Sequence, residues 1–148
     1  MNDRRKSPNV NPSELLYADD VYHIIKCAME VYNTLSPGFL ETVYQDALEI
    51  EFGLREIPFE REKHINIYYK GQKLPSYYTA DELCYNRIIL ELKAASRLTQ
   101  EHEAQLIHYL KATGITVGLL INFGKNRNLE WKRFVHTDQK YQNKQNTS

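Results

Sequence analysis

Over residues 13–35 the apolar side chains Val21, Ile24, Ile25, Ala28, Val31, Tyr32 and Leu35 recur at steps of three and four, which predicts an amphipathic helix. Ser36-Pro37-Gly38 stops it. A second helix is expected over about residues 39–52, with Leu40, Val43, Tyr44, Ala47, Leu48 and Phe52 as its apolar side and Gly53 at its end. The period then drops to two. Residues 64–69 read as a strand, Lys70-Gly71-Gln72 as a turn, and residues 77–84 as the returning strand. Tyr85-Asn86-Arg87 turns the chain into a third strand where Ile88, Leu90 and Leu92 alternate with Glu91 and Lys93, so the two charged residues share a face. Thr99 is placed to cap a third helix with Glu101 and Glu103 in its first turn, and Gly114 to end it. Residues 115–123 form an apolar run expected of a strand covered on both faces, and residues 129–135 a last strand. The order expected is ααββββαββ, less any short strand counted in excess of the three delimited before the third helix.

Residues 1–13 and 137–148 are polar and hold too few apolar side chains to offset the entropy of ordering them, so they read as tails around one domain at 14–136. At 148 residues a single core suffices. Nineteen Lys and Arg balance nineteen Asp and Glu, so attraction to a polyanion has to come from local clustering. Cys27 and Cys84 have no second thiol or histidine at zinc-ligand spacing and read as buried reduced thiols, the usage of a reducing cytoplasm. The basic N-terminus runs into Ser-Pro-Asn-Val-Asn-Pro rather than an apolar stretch, unlike a secretory signal. No run approaches the roughly 18 apolar residues of a membrane span.

Against this framework Asp81, Glu91 and Lys93 stand out. Glu-x-Lys alone is weak, but here it ends an apolar strand, follows an aspartate on the adjoining strand, and precedes a helix carrying Gln105 and Tyr109. Antiparallel pairing brings Asp81 and Glu91 within about 5 Å. Two carboxylates about 4 Å apart repel by about 4 kcal/mol at an effective dielectric near 20, and a cation relieves that. Oxygen ligands with open water positions suit Mg²⁺ or Mn²⁺, and Lys93 projects to the same place, where it can hold water or neutralise a phosphorane-like transition state. Gln105 and Tyr109 share a helix face. Blander roles remain open: a solvated strand edge for Glu91 and Lys93, a turn residue in Asp81, core packing for Tyr109, and surface or core positions for His102 and His108.

Further matches extend the pattern. Gly38-Phe39-Leu40-Glu41-Thr42-Val43-Tyr44 continues with Gln45-Asp46-Ala47-Leu48, and is followed by Tyr69-Lys70-Gly71, Ala80-Asp81, Ile89-Leu90-Glu91-Leu92-Lys93-Ala94, Ala104-Gln105-Leu106-Ile107-His108-Tyr109-Leu110-Lys111 and Gly118-Leu119-Leu120-Ile121-Asn122-Phe123-Gly124. The chain resembles the GxxExxY proteins, a branch of the PD-(D/E)xK nuclease superfamily, over about residues 17–135. The resemblance implies a restriction endonuclease-like α/β core, a mixed central β-sheet flanked by α-helices. It also implies Asp81 and Glu91 as metal ligands, Glu41 as the helix-borne acid completing the site, Lys93 as the catalytic lysine, and Gln105 with Tyr109 as the Gln-x-x-x-Tyr motif of the exonuclease-like branch. Glu82, where the family is usually apolar, is expected to point away. Glu41 and Tyr44 lie one helical turn apart and share a face, with core packing for Tyr44 and solvation for Glu41 as the alternatives.

The expected function is that of a nuclease dependent on Mg²⁺ or Mn²⁺, with DNA preferred to RNA. Tyr44, Tyr109, Lys125, Arg127, Lys132 and Arg133 are the expected nucleic-acid contacts, the four basic residues interleaved with Trp131 or else forming a solvated hairpin. The rival is a catalytically silent nucleic-acid or protein interaction module that keeps the fold. No membrane partner is expected, and a homodimer is among the states left open.

Overall fold

The computed structural model describes residues 16–137, so most of the two polar tails lies outside the described residues. The elements are α1 (Ala18–Leu35), α2 (Glu41–Leu54), β1 (Phe59–Tyr69), β2 (Gln72–Cys84), β3 (Ile88–Lys93), α3 (Gln100–Thr113), β4 (Val117–Asn122) and β5 (Glu130–Val135). The five strands form one sheet in chain order, antiparallel except for β3 and β4, which run parallel and are joined through α3. This is a mixed sheet flanked by helices, the architecture expected. It has one strand fewer than expected, because a single hairpin, β1 and β2, precedes β3; its register shifts between Asn66 and Tyr68, opposite the stretch of β2 that holds Pro75 and pairs with β1 alone.

Local chemistry explains most boundaries. Lys70 and Gly71 both have positive φ (51° and 79°), the primed geometry whose twist suits a two-residue hairpin. Tyr85 and Asn86 repeat it at 55° and 59°, with the Arg87 amide donating to the Cys84 carbonyl at 3.0 Å. The Thr99 hydroxyl accepts from the His102 amide at 3.2 Å while His102 Nδ1 accepts from the Thr99 amide at 3.2 Å, so His102 completes a capping box. Gly114, at φ 79°, ends α3.

Gly53 does not end α2. The helix continues to Leu54, and Glu56 takes the left-handed position at φ 58°, with Ile57 N–H donating to the Phe52 carbonyl at 2.9 Å and Glu56 N–H to Gly53 at 3.3 Å. These are the two bonds of a Schellman ending, and buried Ile57 and Phe52 supply its apolar contact.

The sheet has a core on each face. Six of the seven apolar positions predicted for α1 are buried, and they join Tyr44, Leu48, Phe52, Ile88, Leu90, Leu92, Leu119, Ile121 and Phe123 beneath α1 and α2. On the other face Leu106 and Leu110 of α3 pack on Tyr78, Ala80, Leu83, Ile89 and Leu120. Alternation along β3 thus sends Ile88, Leu90 and Leu92 to one core and leaves Glu91 and Lys93 facing the other side. All six residues of β4 are buried, as a strand covered on both faces must be. Cys27 and Cys84 are buried free thiols, and burial pushes the Cys27 thiol up to about 11 and that of Cys84 higher still.

Candidate active site at the fork of two strands

The ladder between β2 and β3 runs Cys84↔Ile88, Leu83↔Ile89, Glu82↔Leu90 and then stops. One step further, Asp81 faces Glu91. There the Asp81 carboxylate takes the place of a ladder carbonyl, its Oδ2 accepting from the Leu92 amide at 2.8 Å. A side chain in that position holds the strands apart, opening a fork between them while satisfying a backbone donor otherwise orphaned. Glu91 and Lys93 project from the β3 side of the fork.

Burial is the main force raising the Asp81 carboxyl above its ordinary range, against the Leu92 amide, with Glu41 raising it further and Lys93 lowering it. Burial likewise pushes Glu91 up to about 7, opposed by the Asp81 amide and Lys93 and reinforced by Glu41. Both carboxyls therefore sense the same two neighbours, so Glu41 at the start of α2 and Lys93 at the end of β3 converge electrostatically on the fork. The Tyr78 hydroxyl donates to Glu91 Oε2, and the Tyr78 ring stacks on Tyr109 of α3 with centroids 3.7 Å apart. Gln105 is exposed one turn before Tyr109.

The donor set fits a hard divalent cation: carboxylate oxygens from two strands, a third acid near them, and carboxyls raised by burial without a cationic group able to offset it. Among the described residues no three His, Cys, Asp or Glu side chains converge closely enough to enclose an ion unaided. Asp81 and Glu91 would hold it, with water completing the shell, as Mg²⁺ commonly accepts.

The structure corrects three sequence-based expectations. Tyr44 cannot contact nucleic acid. Its ring is wholly buried and stacks on Phe123 at 4.8 Å, and its hydroxyl donates to the Ser36 carbonyl at 2.7 Å and accepts from the Phe39 amide at 3.1 Å. It ties the loop around Gly38 (φ 131°) to α2 and so sets where Glu41 begins the helix. The basic residues near the C-terminus do not form one patch. Lys132 and Arg133 point to opposite faces of β5, Lys132 pairing with Glu103 on α3 and Arg133 donating to the Leu16 carbonyl at 2.7 Å. Lys125 and Arg127 sit in the preceding loop, where the Lys125 carbonyl accepts from the Tyr32 hydroxyl.

Thirdly, the buried side of α2 is rotated from the predicted one. Leu40 is 78% exposed while Gln45 is buried, its amide donating to the Asp81 carbonyl at 2.9 Å and to Glu82 Oε2 at 3.0 Å. Glu82 does point away from Asp81, across the sheet, but into the interior rather than to water.

Sequence patterns alone did not identify Asn122 as part of the site's support. It is fully buried within an otherwise apolar strand, accepting from the Ala95 and Gly124 amides at 2.9 and 3.0 Å and donating to the Ala95 carbonyl and Glu130 at 2.8 and 3.0 Å. Glu130 also accepts from the Leu98 amide at 2.9 Å, and the Phe123 amide donates to the Lys93 carbonyl at 2.9 Å. These bonds brace the loop by which Lys93 leads into α3. A polar residue inside so long an apolar run was the one available signal. Tyr78 was likewise missed, because its contact with Glu91 depends on how the fork opens.

A family model described as the PD-(D/E)XK nuclease superfamily matches residues 18–134. No curated protein matches the chain. Among solved structures, the crystal structure of SSO0001 is similar in fold, at 15% sequence identity and a TM-score of 0.50, over 95% of this chain and 73% of that one. No described helix is long and apolar enough to cross a membrane.

Proposed function

The chain belongs to the PD-(D/E)XK nuclease superfamily, and from that premise we propose that it hydrolyses phosphodiester bonds, in DNA before RNA, with Mg²⁺ or Mn²⁺ at the β2–β3 fork. The observation that carries this is Asp81 opposite Glu91 one step beyond the last rung of the ladder, with Lys93 two residues further on the same face. A bound cation supplies charge neutralisation at a phosphate oxygen and a lowered water pKa. The chain's own residues do the rest. Asp81 and Glu91 anchor the site; Lys93 offers three donors to a nonbridging oxygen or the attacking water, and Gln105 an amide to orient either. We assign the chain to the GxxExxY branch, on the turn that Gly38 and Tyr44 build beneath Glu41.

Purified protein should cut members of a DNA panel with Mg²⁺ or Mn²⁺, and Asp81→Ala or Lys93→Ala should lower the rate by about 10²-fold or more. Cutting that survives both changes rules out this site. Matched DNA and RNA oligonucleotides rank the substrates.

One observation favours the silent module: the Tyr78 hydroxyl already occupies an oxygen of Glu91. Calorimetric Mn²⁺ titration separates the readings. Binding lost in Asp81→Ala supports the nuclease, whereas no binding at millimolar Mn²⁺, by wild type or Tyr78→Phe, supports the module.

A further inference from the structure

The hairpin of β1 and β2 reaches well past the sheet, since from Gln72 to Asp81 β2 pairs with β1 alone. Its inner side is accounted for: Ile65, Ile67, Tyr78 and Ala80 pack in the cluster beneath α3. Its outer side is not. Tyr68 and Tyr77 lie there, 46% and 52% exposed, on one face with His64 and Lys73 by the pairings Asn66↔Tyr77 and Tyr68↔Lys73, while Tyr69 alternates to the side of Ile65 and Ile67. The His64 and Tyr77 rings stack at 4.1 Å, and the Lys70 ammonium lies 5.4 Å from the Tyr69 centroid.

Charge sharpens what these rings suit. In a chain of zero formal net charge, residues 63–80 contain three lysines and a histidine but no Asp or Glu. Lys63 is paired with Glu60, which leaves Lys70 and Lys73 as the cations of the hairpin tip. Exposed aromatic faces interleaved with lysine are what an unpaired nucleic-acid strand binds: bases stack on rings, and phosphates meet ammonium groups. A duplex has its base faces occupied by neighbouring bases and gains only the charge contacts.

We propose that the outer face of the β1–β2 hairpin is a stacking platform for single-stranded nucleic acid, with Tyr68 and the His64–Tyr77 pair as base-stacking surfaces and Lys73 beside them and Lys70 at the turn as phosphate contacts. The proposal rests on the nucleic-acid reading of the fork but concerns binding, so it is tested without cleavage.

The full chain is titrated against fluorescently labelled oligo(dT) in EDTA, followed by anisotropy, with a duplex of equal length in parallel and an RNA oligomer as a third probe. Tyr68→Ala and Tyr77→Ala should each weaken oligo(dT) binding between about 5- and 150-fold, the range for one base–aromatic stack. Tyr68→Phe, which keeps the ring, should bind as wild type. Lys70→Gln with Lys73→Gln should reduce the slope of log K against log salt by about 1.4, at about 0.7 per single-strand phosphate contact. All five side chains are exposed, and unchanged thermal melting confirms that the variants fold. Wild-type affinity in both tyrosine variants overturns the proposal, as does an equal loss on the duplex or no oligo(dT) binding by wild type at low salt. Hairpin-dependent binding by a wild-type protein that cuts nothing sinks the nuclease reading and leaves the platform standing. Cleavage with tyrosine-independent binding does the reverse.

Discussion

Asn122→Ala tests the account of how the loop after Lys93 is held. The native amide makes four hydrogen bonds at 2.8 to 3.0 Å in a position with no exposure. Alanine leaves the Ala95 amide and carbonyl without their side-chain partner, and each orphaned buried polar group costs about 1–3 kcal/mol. Partial entry of water lowers the sum, so a loss of about 3 kcal/mol is expected. For a chain of this size that is a fall of roughly 6–12 °C in melting temperature, a large share of the roughly 5–15 kcal/mol that holds a domain together. Asn122→Asp is the sharper probe. It preserves shape and keeps Oδ1 as acceptor for Ala95 and Gly124, but replaces the donor with an oxygen facing the Ala95 carbonyl and the Glu130 carboxylate. Hydrogen bonds from Asn122 and Leu98 hold the Glu130 carboxyl below its ordinary value despite desolvation, so near neutral pH two carboxylates would meet. The near-isosteric change should cost at least as much as alanine, and part of the loss should return on acidification as the raised carboxyl takes a proton. Urea unfolding followed by circular dichroism measures both. A loss below about 1 kcal/mol for either variant would refute the bracing role.

Two further changes probe the surroundings of the fork. Burial, and then a hydrogen bond shared with the Glu49 carboxyl, raise the Glu82 carboxyl well above its ordinary 4.5, and Glu82 Oε1 and Glu49 Oε2 are both buried with no other donor to meet. The folded state thus holds a proton that the unfolded chain has released, and stability falls as pH rises above 4.5 towards the folded value. Glu82→Gln removes that fall and offers Glu49 a donor, so the variant should be more stable than wild type near about pH 8 and match it near about pH 4; a parallel pH profile would contradict this assignment. Gly124→Ala places a Cβ 2.5 Å from the backbone of Ala94 and Ala95. Backbone cannot swing aside as a side chain does, so this one methyl should cost at least about 1–3 kcal/mol in urea and, if the protein cuts DNA, slow cutting by displacing the segment after Lys93.

Much of the fold was legible because its elements follow one rule at a time. The three- and four-residue steps of α1, the two-residue alternation of β3 and the unbroken apolar run of β4 each have a single reading. The sequence was less readable where two rules compete. In α2 a second apolar stripe, Leu40, Ile50 and Leu54, lies on the solvent side at 78%, 65% and 73% exposure, while a polar Gln45 turns inward to meet Glu82. Hydrophobicity cannot tell those two faces apart. The partner of Gln45 is 37 residues away in sequence. At the fork, Asp81, Glu91 and Lys93 were findable because strand alternation and a tight turn fix their relation. Tyr78, which depends on where β2 leaves β3, was not. Nor was the separation of Lys132 from Arg133, since adjacent letters on a strand look like a cluster while pointing apart.

The complete burial of β4 has a consequence for the chain while it is still folding. Residues 112–124 carry no charge and include five consecutive residues, Val117 to Ile121, with no side chain bulkier than leucine and none that is polar. In the folded protein β3 and β5 pair with both edges of this strand. Until β5, the last strand in sequence, has docked, one edge offers unpaired backbone to any other extended chain, the setting in which sheets grow between molecules. Lys111 and Lys125 bracket the run and give it the flanking charges that slow such growth. β5 supplies none of the acids at the fork, yet its arrival closes the edge through which one folding chain could pair with another.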